Sequence, residues 1–267
     1  MGKVHIEFYS ECLGRQIDVG AFLPEEYGET GARKGNPIKK DFPVLYLLHG
    51  YNSDFSTWER MTQIGFMLRD LPLTVVMPSG LNSYYVDGRL TNMDYYRFLN
   101  EELPGKIKNW FPISDKREDT FVGGLSLGGY GAMRLSLANP ERFSYAFTLS
   151  GVVDLEGYYN DTCMYKKCII HDRDISLGCR EDALNTDNDI FYLIDKNIRE
   201  GKEFPRLMLA CGTNDPAYHY TANLLNKLRE TGVDVEYFDK EGKHDWNFWN
   251  YAIKRIFEWL PLDRYRG

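Results

Sequence analysis

Two kinds of hydrophobic run occur along this chain. Residues 4–9 and 15–23 alternate apolar with polar positions on either side of a Glu-Cys-Leu-Gly turn. That period of two belongs to strands covered on one face, and it predicts an antiparallel hairpin opening the fold. Residues 44–48 and 73–77 are instead continuous apolar runs bounded by Pro, Gly and His, as expected of strands buried on both faces. Further strands are predicted at 120–122, 145–149, 206–210 and 233–238, each separated from the next by room for a helix. Helical spacing places those helices at 57–69, 95–110, 127–138, 217–231 and 246–260, with Asn139-Pro140 and Gly232 as stops. Strand alternating with helix implies crossover connections, and hence an α/β fold built on a mostly parallel sheet with helices on both faces.

Two stretches stand outside this rhythm. Residues 25–41, rich in Gly, Glu, Lys and Pro, carry no periodicity and read as an exposed connection. Residues 154–200 hold three cysteines, a tyrosine pair and many aspartates. They are expected to be an insertion, with short helices, over one end of the sheet in a single domain spanning 1–267, the end that carries the candidate residues described below.

Composition narrows the partners. A net charge of -7 and a pI near 5.4 offer no attraction to polyanions, so a nucleic-acid partner is not expected. Met1-Gly-Lys-Val-His-Ile-Glu has no apolar export signal and no apolar run is long enough to span a bilayer. The reading is a cytoplasmic protein with no membrane partner, compatible with a monomer or a homo-oligomer. Five scattered cysteines, Cys12, Cys163, Cys168, Cys179 and Cys211, fit reduced thiols better than a disulfide framework. The spacing of Cys163, Cys168, His171 and Cys179 is not that of a standard zinc site, so no metal is assigned.

The chemistry is concentrated around Ser126. Five glycines fall within the nine residues 123–131, and Gly124-Leu-Ser-Leu-Gly128 matches the G-x-S-x-G pattern between a predicted strand and a predicted helix. Glycines two positions either side of a serine on a sharp, strained turn remove collisions between strand and helix. A phosphate loop is the alternative, but neither its lysine nor a G-x-G-x-x-G spacing is present. A serine hydroxyl needs a base, and the base an orienting acid. Of five histidines, His244 lies in a polar turn between the last strand and the last helix, within reach of the sheet's C-terminal rim. Asp215 directly follows the run 206–210, in the chain order Ser, Asp, His. Asp154 is the runner-up, and Asp245 adjoins the histidine too closely to orient its ring. An oxyanion hole would use the amides of Leu127 and of Tyr51, the latter after a tight turn at Gly50, with His49 bracing that loop. Tyr51, Trp58, Tyr84, Tyr85, Trp246, Phe248 and Trp249 are aromatic candidates for the mouth. Trp58, Tyr85 and Trp246 are the expected substrate contacts, although tryptophans three apart on a helix also suit a core. A binding protein without chemistry is the competing class.

Leu47-Leu-His-Gly-Tyr51 with Trp58, Asn82-Ser-Tyr-Tyr85, Glu101-Glu-Leu-Pro104, Gly124-Leu-Ser-Leu-Gly-Gly129, Cys211-Gly-Thr-Asn-Asp215 and Gly242-Lys-His-Asp-Trp246 together resemble the α/β-hydrolase superfamily. The resemblance is to its esterase D-like branch of tributyrin, feruloyl and acetyl-xylan esterases and S-formylglutathione hydrolases. It implies the α/β-hydrolase fold and a serine carboxylesterase acting on small-molecule esters with short or aromatic acyl groups. It further implies Ser126 as nucleophile, His244 as base, Asp215 as acid, and Tyr51 and Leu127 as oxyanion donors, with no cofactor. Formylglutathione hydrolases usually carry a cysteine in the loop that here reads Gly50-Tyr-Asn-Ser-Asp54, which makes that subgroup less similar. Antigen 85-like acyltransferases share the architecture but are exported.

Overall fold

A computed structural model describes residues 1–25, 41–90, 92–161 and 167–265, with 167 and 168 as backbone only. Eight strands form one sheet: β1 (Gly2–Ser10), β2 (Arg15–Leu23), β3 (Val44–Leu48), β4 (Thr74–Pro78), β5 (Thr120–Leu125), β6 (Tyr145–Leu149), β7 (Arg206–Gly212) and β8 (Val235–Lys240). Their spatial order is β1-β2-β4-β3-β5-β6-β7-β8. β2 pairs antiparallel with β1 and β4, and every other pairing is parallel. The expected hairpin and the continuous apolar strands are therefore present. The connection expected at 25–41 falls almost wholly outside the described residues.

Period two reappears once the two faces are separated. Val44, Tyr46 and Leu48 join one buried cluster, and Leu45 and Leu47 the other. Both faces are covered, so no polar residue interrupts the run and the alternation is invisible in the sequence. The first cluster is closed by α5 (Leu127–Ala138), α9 (Ile190–Arg199) and α10 (Tyr218–Glu230), and the second by α1 (Thr57–Met61), α2 (Ile64–Met67) and α11 (Trp246–Trp259). No helix among the described residues is long and apolar enough to cross a membrane.

Two helices depart from expectation. The segment 57–69 splits into α1 and α2 because the Thr62 hydroxyl donates to the Trp58 carbonyl at 2.5 Å and accepts from the Ile64 amide at 3.2 Å. The side chain thus takes the bonds that the backbone needs to continue the helix. The segment 95–110 runs as α3 (Tyr95–Arg97), a π-helical stretch (Phe98–Glu102) and α4 (Leu103–Trp110). Pro104 has no N–H, and in an α-helix its ring would meet the carbonyl four residues earlier; the Leu103 amide instead reaches back to Phe98 O, opening the turn by one residue. Among the described residues between 155 and 199 lie α6 (Leu155–Asn160), α7 (Lys167–Leu177), α8 (Arg180–Ala183) and α9.

Two contacts at the end of β3 place the loops that matter below. α5 lies so close to β3 that a Cβ on Gly128 would stand 2.5 Å from the carbonyl oxygens of both Leu48 and His49. His49, buried to 1 % exposure, ties the loops after β3 and β4 together. Its Nε2 accepts the Gly80 amide at 2.7 Å, which leaves Nδ1–H to donate to Gly50 O at 2.8 Å. Both ring nitrogens are engaged only in the neutral tautomer, and burial lowers the His49 pKa to about 4.

Two outcomes are expected. Gly128→Ala should destabilise the fold by on the order of 3 kcal/mol, since two backbone carbonyls cannot move aside, measurable as a lowered thermal midpoint. The unfolded chain binds a proton at His49 from about pH 6.5 downward, whereas the folded chain binds it only near 4, so the contribution is full above pH 6.5 and fades towards pH 4. Denaturant unfolding at pH 7 and pH 4.5 should show a smaller loss in His49→Gln, which keeps an acceptor without titrating, than in the parent; the difference is at most on the order of 3 kcal/mol.

Candidate active site

β5 ends at Leu125 and α5 begins at Leu127, so Ser126 alone turns the chain, with φ 51° and ψ −118°. Its amide donates to Leu149 O at 2.8 Å, continuing the ladder to β6, and its carbonyl accepts from the Tyr130 amide at 3.1 Å, starting the helix. A Cβ on Gly124 would lie 2.5 Å from the Gly128 carbonyl. The two outer glycines of the motif therefore face each other across the turn, the reason anticipated for their presence.

The base and acid arrive on two loops joined by backbone. The Thr213 amide donates to Lys240 O at 2.9 Å and the Asn214 amide to Gly242 O at 2.9 Å. The loop after β7 is thus bound to the loop after β8. Asp215, its side chain fully buried, faces His244 Nδ1 with both carboxylate oxygens at 3.0 Å, and Oδ1 also accepts the Ala217 amide at 2.7 Å. A carboxylate only accepts, so Nδ1 carries the hydrogen and Nε2 presents its lone pair. Nε2 stands 3.0 Å from Ser126 Oγ. Asp154 is engaged elsewhere: it caps α6 through the Gly157 amide at 2.9 Å and accepts from Asn223 Nδ2 at 2.7 Å. Asp245 caps α11 through the amides of Asn247 and Phe248 at 3.0 and 3.2 Å.

Ser126 and His244 open onto a cleft of about 500 Å3, also lined by Tyr51, Leu127, Tyr84, Tyr158, Ile169 and Trp246. Leu127 is the first residue of α5, so its amide has no intrahelical acceptor. Tyr51 follows the Gly50 turn at the end of β3. Trp246 lines the cleft. Trp58 and Tyr85 do not, and the expectation that they contact substrate is corrected. Trp58 is fully buried, donates from Nε1 to Leu48 O at 3.1 Å, and meets Trp246 edge-on with ring centres 5.4 Å apart. Tyr85, 2 % exposed, donates its hydroxyl to His49 O at 2.8 Å. Both hold the carbonyls at the end of β3, which the motif resemblance could not separate from lining the mouth. Phe248 is likewise buried away from the cleft, while Tyr84 rather than Tyr85 faces it.

Trp249, a candidate for the mouth, also lines the cleft, whereas Tyr158, Ile169 and Ser150 have no sequence signal. Tyr158 and Ile169 come from the stretch 154–200, which stands outside the strand–helix rhythm. Ser150, with φ 53° at the end of β6, accepts Trp249 Nε1 at 3.1 Å, and Trp249 in turn stands edge-on to the His244 ring at 4.9 Å. Of the spacing Cys163, Cys168, His171 and Cys179, Cys163 and the Cys168 side chain lie outside the described residues. Cys12, Cys179 and Cys211 are free thiols.

The Esterase family model matches residues 10–260. The chain is 32% identical over 270 residues to an acetyl esterase of Caldicellulosiruptor saccharolyticus, covering 97% of this chain and 98% of that one. Among solved structures, a substrate-bound fluorophosphonate-binding serine hydrolase of Staphylococcus aureus superposes with a TM-score of 0.86 at 28% identity, covering 97% of this chain and 98% of the other. An S-formylglutathione hydrolase of the same species gives 0.83 at 28% identity, covering 97% and 99%. With the match spanning nearly the whole chain and a serine, histidine and aspartate in hydrogen-bond contact at the C-terminal edge of the sheet, the protein belongs to the Esterase family of α/β-hydrolases and is a serine esterase.

Proposed function

We propose that Ser126, His244 and Asp215 are the catalytic triad of a carboxylesterase acting on small esters with short or aromatic acyl groups. The observation that carries the reading is the unbroken line of contacts from Asp215 through His244 to Ser126 Oγ, each 3.0 Å. Ser126 Oγ attacks the ester carbonyl carbon as its proton passes to His244 Nε2. Asp215, desolvated and held by the Ala217 amide, orients the ring and stabilises the imidazolium. The carbonyl oxygen takes up the electron pair in reach of the Leu127 and Tyr51 amides. Collapse expels the alcohol, which takes the proton from His244, and leaves an acyl-serine. Water then repeats the sequence and releases the acid.

The acyl preference rests on the acetyl esterase relative, similar over nearly its whole length, and on a cleft whose apolar and phenolic walls suit a small acyl group. A feruloyl or acetyl-xylan ester of a plant sugar, and S-formylglutathione, are the next candidates. The residues 154–200 would act as an insertion within a single domain, supported by Tyr158 and Ile169 reaching the cleft. Free buried thiols at Cys12 and Cys211 support action in the cytoplasm.

Ser126→Ala should fold normally and lose p-nitrophenyl acetate turnover by on the order of 10^6 in kcat. Asp215→Asn should lose on the order of 10^4. A folded Ser126→Ala protein with parental turnover would overturn the assignment. In a panel of acetyl, butyryl and feruloyl esters with S-formylglutathione at equal concentration, kcat/KM should be highest for a short-acyl oxygen ester; preference for the thioester would move the assignment to the formylglutathione branch.

A further inference from the structure

One carboxylate outside the triad joins the stretch 154–200 to the loop that carries the proposed oxyanion donor. Asp172, on α7, accepts through Oδ2 from the Tyr51 hydroxyl and from Asn82 Nδ2, the latter at 3.0 Å. Asn82 also holds the next residue of the loop. The Asn52 amide donates to Asn82 Oδ1 at 2.9 Å, and Asn82 Nδ2 stands 3.1 Å from Asn52 Oδ1. Asn52 sits in the left-handed region with φ 56°, a conformation that asparagine tolerates but that needs support to persist. Tyr51 is therefore held through its own side chain, and its successor is held through Asn82, with Asp172 at the junction of both.

The charge of Asp172 is directed at this loop. The adjacent Arg173 is paired with Asp174 at 2.8 Å and lies over the Tyr159 ring at 4.1 Å, so its guanidinium is engaged with other partners. A carboxylate accepting from neutral donors makes stronger bonds than a neutral acceptor would. One turn before Asp172, Ile169 lines the cleft, so the same helix builds a wall of the site and tethers its donor loop.

We propose that Asp172 is a positioning residue which, through Tyr51 and Asn82, fixes the Tyr51 amide at the distance the developing oxyanion requires. This rests on the assignment of that amide as an oxyanion donor. The donor's placement matters most when charge builds on the carbonyl oxygen, so releasing the tether acts on kcat rather than on ground-state binding.

The test uses p-nitrophenyl acetate with Asp172→Ala, Asp172→Asn, Tyr51→Phe and the Asp172→Ala/Tyr51→Phe pair, with Ser126→Ala alongside. Asp172→Ala and Tyr51→Phe should each lower kcat about 10-fold, less than deletion of a donor, with KM within about twofold. The pair should be no worse than the poorer single variant, because both changes break one contact. Asp172→Asn, which keeps an acceptor oxygen, should recover to within about threefold of the parent. Folded single variants with parental kcat, or losses that multiply in the pair, would overturn the tether, as would a loss in KM alone. A Ser126→Ala protein that stays active would instead show that the esterase assignment itself fails. If Asp172→Ala does not fold, Asp172→Asn and Tyr51→Phe still decide, since an unchanged kcat in Tyr51→Phe removes the link.

Discussion

The site depends on a backbone conformation that a serine does not adopt freely. Holding Ser126 at φ 51° costs on the order of 1–3 kcal/mol, and neighbouring structure must supply that constraint. The Leu149 carbonyl takes the Ser126 amide and α5 starts from the Ser126 carbonyl. The turn is closed because Gly124 and Gly128 bring the strand and the helix into backbone contact. Relaxing the turn would require α5 to leave β3, and α5 is buried along nearly its whole length. The nucleophile is therefore presented by the packing of the sheet's centre, not by its own loop.

The remaining groups reach Ser126 through polar contacts between loops at one edge of the sheet. His49 joins the loops after β3 and β4, and backbone bonds join the loops after β7 and β8. Trp58 and Tyr85 bind the last two carbonyls of that region. Each contact satisfies a donor or acceptor that burial would otherwise leave unpaired, and each also fixes the position of a loop used by the site. Structural satisfaction and placement of the chemistry are here one set of bonds, so Trp58 and Tyr85, neighbours of the site in their motifs, support the mouth from beneath and do not line it.

Legibility of the sequence followed from where each signal originates. Buried strands and the helices 127–138 and 246–260 were readable because burial on both faces, or along one stripe, is written directly in residue type. The motif around Ser126 was readable because a strained turn tolerates few residues. The break at Thr62 and the π stretch before Pro104 were not, since they depend on which hydrogen bond a hydroxyl takes and on how a helix accommodates a missing donor. Nothing in residues 154–200 marked Tyr158 or Ile169 as cleft residues, because their position follows from where α6 and α7 pack.

By itself the sequence determined the α/β order of elements, the glycine-framed serine and the chain order of serine, aspartate and histidine, because each is a property of neighbouring residues. Only the tertiary structure decided that Asp215 rather than Asp154 faces His244, that Tyr84 rather than Tyr85 faces the cleft, and that Asp172 meets Tyr51. Those choices join residues 29 to 121 positions apart, and a contact across such a separation is set by the packing of whole elements, which no local pattern encodes.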